Sequence, residues 1–139
     1  MIRSILAILG GFIAGILVIA LVEFLDYKMY GPAELLDYTN KDTMRHFITN
    51  LPFLALLILC FAVFLGSIVG GFVASQINFE SGETNSIIVG VLLLITVVAY
   101  LLQIPHPMWF WLVCLVTCVP LSYLGYFIDS SYLYKDTID

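Results

Sequence analysis

Residues 51–74 read LPFLALLILCFAVFLGSIVGGFVA, twenty-four positions without one Asp, Glu, Lys, Arg or His. A helix needs about 20 predominantly apolar residues to cross the hydrocarbon of a bilayer. Outward from this stretch the pattern repeats. Residues 5–22, 87–102 and 107–127 are also free of Asp, Glu, Lys and Arg, so all ten carboxylates and all five basic residues fall in connections and tails. The pattern predicts an all-α polytopic membrane protein. Four transmembrane helices, over about 4–27, 51–76, 84–103 and 107–128, form an antiparallel bundle. A short amphipathic surface helix at about 40–50 lies between the first two.

Composition agrees. The chain is 62% hydrophobic and 11% charged, with a mean hydropathy of +1.07, whereas a soluble domain carries roughly 25% charged residues. The net charge of −5 resides in loops and tails. It offers nucleic acid no basic stripe, so no nucleic-acid partner is expected. The first apolar run, residues 5–22, is longer than the h-region of a signal peptide. Glu23, Phe24 and Leu25 follow it where a small-residue cleavage site would stand, so the first helix is read as retained.

Let the near face be the one holding the N-terminus. The first helix reaches the far face at Glu23, Asp26, Tyr27 and Lys28, and Gly31-Pro32 signals a turn. From Asn40, a capping residue, Met44, Phe47, Ile48 and Leu51 recur at helical spacing, with Lys41, Asp42, Arg45 and His46 between them. This segment lies on the membrane surface or packs over the bundle as a loop helix. The second helix returns to the near face at Ser75-Gln76, and an acidic loop with Glu80 and Glu83 leads into the third. Gln103-Ile104-Pro105-His106-Pro107 is a tight turn at the far face, because two prolines remove two backbone donors. Tyr100, Trp109 and Trp111 form an interfacial aromatic belt there. Pro120 is expected to kink the fourth helix. Both termini lie on the near face. Arg3 and the free amine before the first helix favour the cytoplasm for that face, although Lys28, Lys41 and Arg45 weigh the other way.

Lipid tails are as apolar as leucine, so helices pair through close backbone approach. The first helix offers Ala7, Gly11 and Gly15. The second offers Gly66, Gly70 and Ala74 beside Ser67, Gly71 and Ser75, and the fourth Cys114, Cys118, Ser122 and Gly125. Residues 8–15 (ILGGFIAG) and 68–75 (IVGGFVAS) echo one another near the same face. A close contact of the first two helices is expected there, with Gly11 and Gly71 both in it. Cys60, Cys114 and Cys118 read as small residues at helix contacts; two thiols four apart on one helix do not face each other for a disulfide.

The candidate site is a polar cluster at the far face: Glu23, Gln103 and His106, with Asp26, Tyr100 and His46 around them. A carboxylate beside a histidine at a membrane boundary can accept and pass a proton. Depth argues for a plainer role. From Ile5 to Glu23, at 1.5 Å per residue, is roughly 27 Å, which places Glu23 at the far boundary rather than the midplane. In that reading Glu23 is a boundary marker, His106 a headgroup-level turn residue, and the tryptophans anchors. Only Ser67, Thr96 and Thr117 lie deep. No phosphate loop, metal cluster or nucleophile motif is present, so no cofactor and no metal is expected.

The IPHPMWFW turn (Pro105, His106, Pro107, Trp109, Phe110), the glycine-rich first two helices and Glu23 closing the first resemble a group of small four-helix bacterial inner-membrane proteins. The resemblance implies a bacterial cytoplasmic membrane and four helices, and lends no activity. Three functions remain open. The first is a non-enzymatic accessory or structural subunit, in contact with the lipid bilayer and with a protein partner or its own copies. The second is a small oligomeric transporter or channel. The third is an intramembrane enzyme on a lipidic substrate, using Glu23 and His106 as acid and base.

Overall fold

The computed structural model describes residues 1–31, 39–104 and 106–136, with side chains of the last helix described as far as Tyr132. Five helices follow in order: α1 (Ile2–Tyr30), α2 (Lys41–Asn50), α3 (Phe53–Ile77), α4 (Gly82–Gln103) and α5 (Met108–Asp136). A single 3-10 turn, Phe79–Ser81, joins α3 to α4. No strand occurs among the described residues. Four of the helices, α1, α3, α4 and α5, are long and apolar enough to cross a membrane. The chain is an all-α, multi-pass membrane protein.

Helix ends follow local chemistry. The Asn40 side chain caps α2, accepting from the backbone N–H of Asp42 at 3.0 Å and of Thr43 at 3.4 Å. Helix α2 stops at Asn50 because Pro52 holds Leu51 extended (φ −65°, ψ 136°). Helix α1 closes where the Gly31 N–H bonds the Tyr27 carbonyl at 2.8 Å, and Pro32 has no N–H with which to continue it. Pro120 lies inside α5, which runs on through it.

Two helices outlast their apolar runs. Helix α1 continues to Tyr30 and α5 to Asp136, so Asp129, just past the expected end of the fourth helix, stands on α5. A polar side chain with buried surroundings does not stop a helix; the backbone hydrogen bonds continue as long as no proline or strained residue interrupts them.

Helix α3 is central and packs on α1, α4 and α5, while α4 also reaches α1 and α5. Asn78 Nδ2 donates to Ser4 Oγ at 2.9 Å, placing the start of α1 beside the end of α3. Ser75 Oγ donates to Asp129 Oδ2 at 2.5 Å, placing the late part of α5 there too. These three ends share the near face, and α2 lies at the far one.

The bundle is held by backbone approach. A Cβ on Gly11 would stand 2.5 Å from the Gly70 carbonyl oxygen, and one on Gly15 2.9 Å from that of Gly66, so α1 and α3 touch main chain to main chain. Gly71 faces the other way. A side chain there would meet the Ser122 backbone on α5, and Gly125 of α5 abuts the backbone of Ile68 and Phe72. The expectation that Gly71 joins Gly11 in one contact is corrected: adjacent residues sit roughly 100° apart on a helix, so Gly70 serves α1 and Gly71 serves α5. Hydroxyls add crosslinks. Ser86 Oγ donates to the Gly71 carbonyl at 2.8 Å, and Ser122 Oγ to the Ser86 carbonyl at 2.7 Å. Such interhelical bonds average only about 0.6 kcal/mol each, so close packing carries most of the association. Cys60, Cys114 and Cys118 are free, buried thiols in an apolar core with Leu101 and Phe110.

Candidate functional site

At the far face the end of α1, the inner stripe of α2, the start of α3, the end of α4 and the following turn enclose a chamber of about 510 Å³. Helix α1 contributes Ala20, Glu23, Tyr27 and Tyr30, which recur at steps of three and four along one side, with Phe24 and Asp26 flanking them. Helix α2 contributes Met44, Phe47 and Ile48; Met44 and Ile48 are buried, so its apolar stripe faces the protein. Leu59, Tyr100, Ile104 and His106 complete the wall. A second, deeper chamber of about 180 Å³ adjoins it, sharing Ala20, Glu23, Leu59 and Tyr100 and otherwise lined by Ile16, Ile19, Val63, Thr96, Val97 and Phe110. The α1 edge is open, because Ala20, Phe24 and Tyr27 line the larger chamber and are exposed.

His106 is held in a defined state. Its Nδ1 lies 2.9 Å from the Ile104 carbonyl. A carbonyl only accepts, so Nδ1 carries the proton and Nε2 presents its lone pair. The ring stacks on Phe110 (centroids 4.7 Å apart, planes 19°) and lies 5.7 Å from the Tyr100 ring. Burial pushes the His106 imidazole below its ordinary value of 6.5, outweighing the opposing hydrogen bond to Ile104, so the ring is neutral at pH 7. Nε2 is buried and has no hydrogen-bond partner among the described residues. The same holds for Oδ1 of Asp26, a residue only 5% exposed. Two residues that line one chamber thus each keep a buried acceptor with nothing donating to it among the described residues, a situation a bound donor or water relieves once the side chain turns toward the chamber.

The structure gathers some of the sequence candidates and separates others. Glu23, Asp26, Tyr100 and His106 share the chamber. Gln103 does not; it is exposed, and its amide donates to the Ala99 carbonyl of its own helix at 3.3 Å. His46 is exposed on the outer side of α2, accepting at Nδ1 from Asn50 Nδ2 at 3.0 Å. Trp109 is half-buried against Phe53, 5.4 Å between ring centroids, and Trp111, also half-buried, packs against the apolar core. Among the described residues, no group of three or more His, Cys, Asp or Glu is gathered to hold a metal.

One polar centre was missed. Asp129, fully buried on α5, accepts from Ser75 Oγ at 2.5 Å and from the Gln76 side-chain amide. It lies at the near face, so the polar groups are not confined to one end. The stripe Cys114, Cys118, Ser122, Gly125, continued by one step of four, arrives at Asp129; that spacing was the available signal.

Compared with protein-family models, curated proteins and solved structures, the chain matches none.

Proposed function

We propose that this membrane protein binds a lipophilic small molecule in the far-face chamber. The observation that carries the reading is one largely apolar chamber lined by Asp26 and His106, each of which keeps a buried acceptor, Oδ1 and Nε2, without a partner among the described residues. A concave apolar site with a few convergent polar groups is the usual form of a small-molecule site. The open α1 edge gives such a molecule a route from the bilayer, and the inner stripe of α2 roofs it. Binding, rather than acid–base chemistry, suits the geometry. Both residues line the chamber, and no hydrogen bond joins Glu23 to His106 among those described.

An accessory-subunit role loses one of the features that suggested it, the free small-residue grooves. Gly11, Gly15, Gly66 and Gly70 are taken up by the α1–α3 contact, and Gly71, Ser122 and Gly125 by α3–α5. The placement in a bacterial inner membrane with cytoplasmic termini stays part of the proposal on the resemblance of the Pro-His-Pro turn and on Arg3 alone.

Native mass spectrometry of the chain released from mild detergent tests the reading. An organic adduct is expected on the wild type and its loss on Ala20→Trp, which fills the chamber from an exposed position. An adduct-free wild type, or equal occupancy in both, counts against it. A protein partner that co-purifies in fixed ratio returns the subunit reading.

A further inference from the structure

We infer that the molecule this chamber takes is a lipophilic ammonium ion, an apolar or aromatic body bearing a protonated primary or secondary amine. The inference rests on the chamber being a binding site, and four observations converge on the chemical class.

The unsatisfied groups are acceptors. Asp26 and His106 line the chamber, and Oδ1 and Nε2 have no partner among the described residues, so an occupant that donates is the one that satisfies them. An alkyl carboxylate, sulfate or phosphate head brings more acceptors and fits neither. The charge is one-sided. Glu23 and Asp26 stand one turn apart on α1, and no Lys or Arg lines the chamber among the described residues. Lys41 and Arg45 of α2 are exposed, away from its inner stripe. Buried carboxylates without a cation are costly, and a bound cation removes that cost.

The walls also favour a cation. Phe24, Tyr27, Tyr30, Phe47 and Tyr100 contribute aromatic rings, whose faces attract ammonium groups. The Phe24 ring already receives one: Lys28 Nζ lies 5.5 Å from its centroid. The cation is organic rather than a bare metal ion, because the His and carboxylate groups are not gathered tightly enough for metal coordination among the described residues. The deeper chamber accounts for the apolar body. It adjoins the larger one at Glu23 and is lined mainly by Ile16, Ile19, Val63, Val97 and Phe110. The amine then sits among Glu23, Asp26 and His106, and the hydrocarbon part points inward between α1, α3 and α4.

A matched probe series tests this. Phenylbutylammonium, phenylbutanol and phenylbutyrate share one body and differ in head group. Each is dialysed to equilibrium against the full chain in phosphatidylcholine nanodiscs, with empty nanodiscs subtracted. Saturable binding of the ammonium is expected, about tenfold tighter than the alcohol or the carboxylate, the scale of one charge-assisted hydrogen bond. Asp26→Asn is expected to cost a similar factor, and Asp26→Glu to recover part of it. Equal or tighter binding of the alcohol or carboxylate, abolished by Ala20→Trp, overturns the ammonium class and leaves the chamber a binding site. Absence of saturable binding for all three probes, or binding that Ala20→Trp leaves unchanged, overturns both readings. The wild-type probe ranking decides the class even where an Asp26 variant fails to fold.

Discussion

Ser75 on α3 donates its hydroxyl to the carboxylate of Asp129 on α5 at 2.5 Å, and both residues are fully buried. The bond spans 54 positions of sequence and fastens the near-face ends of two helices that otherwise meet through Gly71 and Gly125. Asp129→Ala leaves the Ser75 hydroxyl buried with no acceptor. Destabilisation of about 1–2 kcal/mol is expected, above the average for an interhelical bond because the acceptor is a carboxylate. Unfolding in detergent by chemical denaturant measures it. A change under about 0.5 kcal/mol would show that the near-face anchor is not stabilising.

Gly11→Leu and Gly71→Leu disturb different contacts, α1–α3 and α3–α5. Each is expected to lower the thermal midpoint in detergent. Gly11 abuts the carbonyl of Gly70, the chain neighbour of Gly71, so the two sites lie close and the double variant is expected to depart from the sum of the single losses. Strict additivity would show that α3 passes neither disturbance to its other face.

The burial of His106 has a sign that can be checked. Its folded value is depressed below 6.5, so the unfolded chain binds the proton more readily. Stability is complete above that ordinary value and falls as pH drops below it toward the folded value. His106→Gln removes this term. Wild type and variant should run parallel above about pH 7 and converge or cross below it. Parallel profiles down to about pH 5 would show that His106 is not buried neutral.

Helix α2 depends on its cap. Asn40→Ala removes the acceptor for the Asp42 and Thr43 N–H groups at a cost of about 1 kcal/mol. Faster hydrogen exchange confined to Lys41–Asn50 is expected, together with weaker occupancy of the chamber that α2 roofs. Unchanged exchange there would mean that α2 is held by its packing alone.

The transmembrane helices were legible because hydrocarbon tolerates no charge over its width, a constraint written directly into composition. The site was legible only in part. Glu23, Gln103 and His106 share a common depth, with Tyr100 beside them, and depth is what spacing along a helix reports. Which way each side chain turns depends on the rotation of its helix. That separates Tyr100, on the chamber wall, from Gln103, exposed three residues later. Asp26 reads as a boundary marker because a charge after an apolar run marks a membrane edge; its burial beside the chamber is tertiary and leaves no mark in spacing. Asp129 was hidden by the same habit. Ending the fourth helix at its last apolar residue put the carboxylate in a tail, when the stripe of small residues continued to it.

The chamber between α2 and the bundle can be seen in a crystal structure of the chain grown from a lipidic mesophase. Electron density is expected for a non-protein molecule, or for ordered water donating to Asp26 and His106, in a chamber bordered by Glu23, Met44 and Leu59. A chamber closed by Met44 and Ile48 packed against Leu59 and Tyr100, with the two acceptors satisfied by the protein itself, would contradict it.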